Sequence, residues 1–149
     1  MENQTPKQAY IAASTPYQSW SVSLILPIAM LLILLLNLVG YKANLGFFLL
    51  ILTIFYHARY LSKVKKVGAI RHVGPILLYV LNFVSLGLFV AMSNGNATMF
   101  IVIGVLTLIL EIASAVFFLI TASKIKKDYP NFKQDYQTAR QIYRESRKK

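Results

Sequence analysis

One carboxylate in this chain stands apart from the rest. Glu111 lies inside the apolar run 98–122, TMFIVIGVLTLILEIASAVFFLITA, where every neighbour for several turns is uncharged. A charged side chain at the middle of a lipid layer costs about 2.5–3.5 kcal/mol on insertion scales. Such a residue is kept neutral or given a partner, and three roles follow. Protonated, Glu111 hydrogen-bonds Asn82 or Tyr79 and serves structure. Exchanging a proton or cation, it drives a small homodimeric transporter. Facing outward from its own chain, it meets a basic or hydroxyl residue of another membrane subunit.

Asn82 is a credible neighbour on depth alone. Both residues flank the polar stretch Ser93-Asn94-Gly95-Asn96. Asn82 lies about 12–13 residues before its centre and Glu111 about 16–17 after it, a depth difference of about 6 Å at 1.5 Å per residue. Glu111, Asn82 and Tyr79 therefore form a candidate intramembrane polar site. His57, beside Arg59 at the end of a second apolar run, suits an interface by position. It is also a candidate proton relay, because imidazole titrates near neutral pH.

Other chemistry is excluded by what the chain lacks. With no cysteine there is no disulfide, thiolate metal site or thiol nucleophile. Two histidines, His57 and His72, do not make a metal site unaided, so neither metal nor cofactor is expected. No serine–histidine–acid set, paired carboxylates, H-E-x-x-H or glycine-rich phosphate loop is present. Intramembrane catalysis needs several converging polar groups, and the chain reads as non-enzymatic. Asn96-Ala97-Thr98 matches a glycosylation sequon, but it abuts the apolar run in a very short turn and is discounted.

The elements that position these residues follow from hydropathy. Of 149 residues 56% are hydrophobic, and the mean hydropathy is +0.55. The charged residues crowd into short segments between long apolar runs. A helix needs about 20 mostly apolar residues to cross a hydrocarbon layer of roughly 30 Å, and lipid forces such a run to be helical. Four runs are expected to span: about 20–40, 44–61, 74–92 and 98–122. The expected fold is all-α, an antiparallel four-transmembrane-helix bundle. Tyr41-Lys42-Ala43 turns the chain between the first two runs, and Gly74-Pro75 opens the third. Pro27 is expected to bend the first, and Asn37 to cap or pair locally near its end. The first run is not read as a cleavable signal peptide, since no A-x-A-like site follows it.

Orientation comes from Lys and Arg. Lys7 precedes the first run. Arg59, Lys63, Lys65, Lys66 and Arg71 lie in the second connection, and nine more extend from Lys124 to Lys149, leaving Lys42 alone on the other side. Both termini are expected in the cytoplasm, with a prokaryotic plasma membrane as the location. The net charge of +11 is thus explained by topology, and no nucleic-acid partner is expected.

Each run also carries a face of small, polar or aromatic residues at three- and four-residue spacing. These are Ser23, Pro27, Met30, Leu34 and Asn37; Gly46, Thr53, His57 and Tyr60; Tyr79, Asn82, Ser85 and Phe89; and Gly104, Thr107, Glu111, Ser114 and Phe118. Such faces pack helices in lipid. The chain divides into a polar N-terminal tail (1–19), the transmembrane domain (20–122) and a basic tail (123–149). In the last, residues 131–147 read as an amphipathic helix with Asn131 as a possible N-cap. Phe132, Tyr136, Ala139 and Tyr143 share one face, with Lys133, Arg140, Arg144 and Arg147 in the adjoining sector. That pairing suits contact with anionic headgroups at the cytoplasmic face, or with a partner.

No motif singles out a family. The leading expectation is an accessory or immunity-type subunit that binds another membrane protein or a second copy of itself. The alternatives are the proton-coupled transporter using Glu111 and a lipid-binding membrane organiser.

Overall fold

A computed structural model describes residues 5–39 and 46–148, apart from the side chains of Asn37 and Leu38. The Tyr41-Lys42-Ala43 turn, the role of Asn37 and the facing ends of the first two runs lie outside the described residues.

The described residues form five α-helices: α1 (Pro6–Leu38), α2 (Gly46–Arg59), α3 (Ile70–Ser93), α4 (Ala97–Asp128) and α5 (Phe132–Ser146). Two short 3₁₀ turns, Leu61–Lys63 and Lys65–Val67, join α2 to α3. Three helices, α1, α3 and α4, are long and apolar enough to cross a membrane, with mean hydropathies of 2.4, 2.1 and 2.5 in their apolar windows. The second expected span is not among them. As described, α2 has 14 residues, a length of about 21 Å against a layer of roughly 30 Å.

Helices α3 and α4 form the central hairpin. Its turn is closed by local chemistry: Asn96 N–H donates to the Ala91 carbonyl at 3.1 Å, and Gly95 N–H to Met92 at 3.2 Å. Gly95 adopts φ 63°, the left-handed conformation that glycine tolerates best at a helix end. Asn96 then caps α4, its side chain accepting from Met99 N–H at 2.9 Å.

Between these helices the faces read from sequence meet closely. A Cβ on Gly74 would lie 3.2 Å from the Phe118 ring, so the absence of a side chain lets the backbones approach. Ser114 Oγ donates across the contact to the Gly74 carbonyl at 2.8 Å. The sequence expectation that Gly74-Pro75 opens the helix is corrected, because α3 starts at Ile70 and Pro75 lies in its second turn. Phe89, expected on a packing face, is instead 74% exposed.

Helix α1 packs on α4, and its Ser19, Ser23, Leu26 and Met30 are buried. The last two join Leu49, Leu61, Leu78 and Phe118 in the main core. At 33 residues α1 is about 50 Å long, so it outreaches the layer. Its first turns are the stretch read as a polar tail, and the helix continues through Pro16 and Pro27. Val64, Val67 and Ile125 form a second buried cluster, packed by Trp20, Ile70 and Tyr129. Arg71 fastens this corner by donating through Nη1 to the carbonyls of Gly68 at 3.0 Å and Lys65 at 3.1 Å.

By this order of helices, the basic connection, the start of α1, the end of α4 and α5 share one end of the molecule. The hairpin turn, which has no Lys or Arg, marks the other. Burial is unequal between the apolar windows: 33% of that in α1 is enclosed, but 11% of those in α3 and α4. Their remaining apolar faces are outward, as lipid allows and water does not.

Candidate functional site

Glu111 and Asn82 line one cleft of about 650 Å³. Met30 and Ile33 of α1 and Leu49 of α2 form its apolar walls, and Ser85 of α3 and Thr107 of α4 add hydroxyls. Most of these polar groups are already engaged within their own helices. Asn82 Nδ2 donates to Leu78 O at 2.8 Å, Ser85 Oγ to Asn82 O at 2.7 Å, and Thr107 Oγ1 to Gly104 O at 2.8 Å. Helical backbone carbonyls are the nearest acceptors for such short side chains in an apolar layer. Glu111 makes no side-chain hydrogen bond to any described residue. The cleft therefore offers a half-buried carboxyl and the side-chain amide oxygen of Asn82, Oδ1, to whatever enters it.

Tyr79 does not line this cleft. Its hydroxyl lies 2.9 Å from Nδ1 of His57. The other ring nitrogen, Nε2, lies 2.6 Å from Nδ1 of His72. His72 and Tyr79 are seven residues apart on α3, two turns and about 10.5 Å of rise, and so share one face. The His57 ring from α2 bridges between them. Sequence reading singled out His57 as a relay candidate but left His72 aside. The signal was its seven-residue spacing from Tyr79, which means little until α2 is known to cross that face. Among the described residues, no three of His, Cys, Asp or Glu converge on a possible metal position.

The amphipathic C-terminal helix is docked along α1. Tyr143 stacks on Tyr10 with ring centroids 5.1 Å apart, Tyr136 on Tyr17 at 4.3 Å, and Phe132 tilts against Trp20 at 5.4 Å. As numbers rise along α1 they fall along α5, so the two helices run antiparallel. Offset or tilted aromatic pairs of this kind contribute about 0.5–1.5 kcal/mol each beyond burial. Phe132 is 3% exposed. Asn131 precedes the helix but makes no side-chain cap; its carbonyl accepts from Asp135 N–H instead.

With the aromatic face turned to α1, the basic residues are left outward. Lys133 Nζ lies 4.3 Å from the Trp20 ring, within cation–π range. Arg140 and Arg147 stand 6.0 Å from Tyr136 and Tyr143, and Arg144 is exposed. Sequence periodicity placed these residues in their sectors. It could not show that the partner of the aromatic sector is the chain's own N-terminal helix.

Comparison with known proteins finds no matching family model, no matching curated relative and no matching solved structure. The chain is a small helical protein whose long apolar helices imply a lipid bilayer.

Proposed function

We propose that this is a non-enzymatic, multi-pass protein of a prokaryotic plasma membrane that binds another membrane protein through the Glu111 cleft. In this reading the apolar run 44–61, which contains α2, is a fourth span, and both termini lie in the cytoplasm. The positive-inside rule supports that orientation, since Lys42 alone stands against the other fifteen Lys and Arg. One observation carries the binding role. Glu111 stands in an open cleft at membrane depth without a side-chain hydrogen bond to any described residue. A carboxyl so placed calls for a donor, and the occupant is a partner's transmembrane helix bearing a basic or hydroxyl side chain at that depth.

The test is in-cell photocrosslinking from a probe at Ser85, combined with purification in mild detergent. A specific membrane protein is expected to be recovered with the native chain. Its yield should fall about tenfold for Glu111→Gln, as loss of roughly 1.4 kcal/mol from a charge-assisted bond implies. Recovery of self-contacts only, or a yield indifferent to the substitution, contradicts the proposal.

The cleft volume favours a second reading. It falls within the range of about 300–1,000 Å³ typical of small-molecule sites, as a homodimeric proton-coupled transporter would need. In that case Glu111→Gln abolishes coupled flux in proteoliposomes while assembly is untouched.

A further inference from the structure

Helix α2 is the least embedded of the helices beside the cleft. Its buried residues are Leu49 and Thr53, while Phe47, Phe48, Ile51, Ile54 and Phe55 are each at least half exposed. Among the described residues, the two bonds of His57 are the side-chain hydrogen bonds that join α2 to another helix. One of them is between two imidazoles, and that constrains when it can exist.

A neutral imidazole has one N–H donor and one bare acceptor nitrogen, whereas an imidazolium has two donors. The contact of His57 Nε2 with His72 Nδ1 therefore needs at least one neutral ring. If His57 donates, His72 Nδ1 is bare, and Tyr79 donates to His57 Nδ1. If His72 donates, His57 Nε2 is bare, and its Nδ1–H donates to Tyr79. The tyrosine hydroxyl rotates to serve either setting. Once both rings are protonated, two N–H groups and two positive charges face each other 2.6 Å apart, and the contact cannot persist.

We propose that His57 and His72 form a pH-sensitive latch that holds the basic end of α2 against α3. It is closed at neutral and alkaline pH, stays closed while one ring carries the extra proton, and opens in acid when the second ring is protonated too. Because α2 supplies Gly46 and Leu49 to the cleft, opening loosens one wall of it. The latch does not depend on which occupant the cleft takes.

The groups around the pair oppose its double protonation. From α3 it meets Tyr79 and the Arg71 cation. Arg59 follows on α2, and Lys63, Lys65 and Lys66 belong to the adjoining turns. Helix α1 contains no acid or histidine. The two acids of α4, Glu111 and Asp128, form no cluster with the pair. Among the described residues, no carboxylate is thus in place to hold two imidazolium rings together.

The test uses spin labels on Ala58→Cys and Ile76→Cys, both exposed in a chain without other cysteines, in lipid nanodiscs read by electron paramagnetic resonance. The native histidines should give a short separation at about pH 8 and one longer by several ångströms below about pH 5. His72→Gln keeps a hydrogen-bonding amide that does not titrate, so its separation should stay short at both. His72→Phe removes the bond and should read long at both. A native separation unchanged by acid, or a His72→Gln protein that opens like the native one, overturns the latch.

Discussion

Phe132→Ala is expected to release α5 from the protein while leaving the apolar helices in place. The phenyl ring is buried between Trp20 and Tyr17 at the basic end of the molecule. Water is the solvent it would meet on release, so the full cost of a Phe→Ala core substitution applies, about 3–5 kcal/mol. A detached α5 has only 15 residues, marginal length for an isolated helix in water. Its helicity should drop with its docking. Trypsin should then cut at Lys133, Arg140, Arg144 and Arg147 at least tenfold faster, since a loss above about 1.4 kcal/mol exceeds that factor when cleavage follows the open population. Digestion at the native rate would show that the aromatic ladder does not hold α5.

Phe118→Ala tests the opposite end of the energetic scale, the core within the apolar layer. Phe118 is fully buried, and its ring fills the space that Gly74 leaves open. In lipid the separated helices remain solvated by apolar chains, so little transfer energy is at stake. What remains is the cavity, which costs about 24 cal/mol for each Å³ left unfilled. The expected loss is about 2–3 kcal/mol, smaller than for Phe132 although the ring is more completely enclosed. The measurement is unfolding of each variant in detergent micelles or bicelles, with Phe118→Leu as a partial restoration. Equal losses at the two positions would mean that both rings are released into the same solvent.

That contrast explains how much of the molecule was legible beforehand. The inward face of α4 follows from spacing: Gly104, Thr107 and Glu111 are partly covered, and Ser114 and Phe118 are buried. On α1, Ser23, Pro27 and Met30 are buried as their stripe implied. Small and polar residues along an otherwise aliphatic helix leave few other places to pack. The hairpin turn was legible too, because glycine and asparagine in that order have few other uses between two apolar runs.

What escaped was long-range pairing. The polar composition of the first residues reads as a tail, yet α1 begins at Pro6. The stretch is held by Tyr10 and Tyr17, whose partners lie more than a hundred residues away. Leu61, Val64 and Val67 lie in a basic connection whose Lys and Arg carried the orientation reading, and all three are buried. Their spacing over seven residues is too short to distinguish 3₁₀ turns from loop. The candidate site was divided in the same way. Glu111 and Asn82 share a cleft as depth suggested, whereas Tyr79 reaches α2 through a histidine contact that no single-helix periodicity encodes.

The most direct measurement of the account is the sidedness of the two ends of the bundle. Single cysteines placed at Asn94 and at Gln137 of the otherwise cysteine-free chain can be challenged with a membrane-impermeant maleimide on intact cells. Asn94→Cys, in the hairpin turn, should label at once. Gln137→Cys, on α5, should label only after permeabilisation, and a second reporter at Gln8 of α1 should behave as Gln137 does. Labelling of Gln137 or Gln8 from outside, or recovery of the protein in the soluble fraction without detergent, would contradict the claim that apolar helices cross the bilayer with the basic end inside.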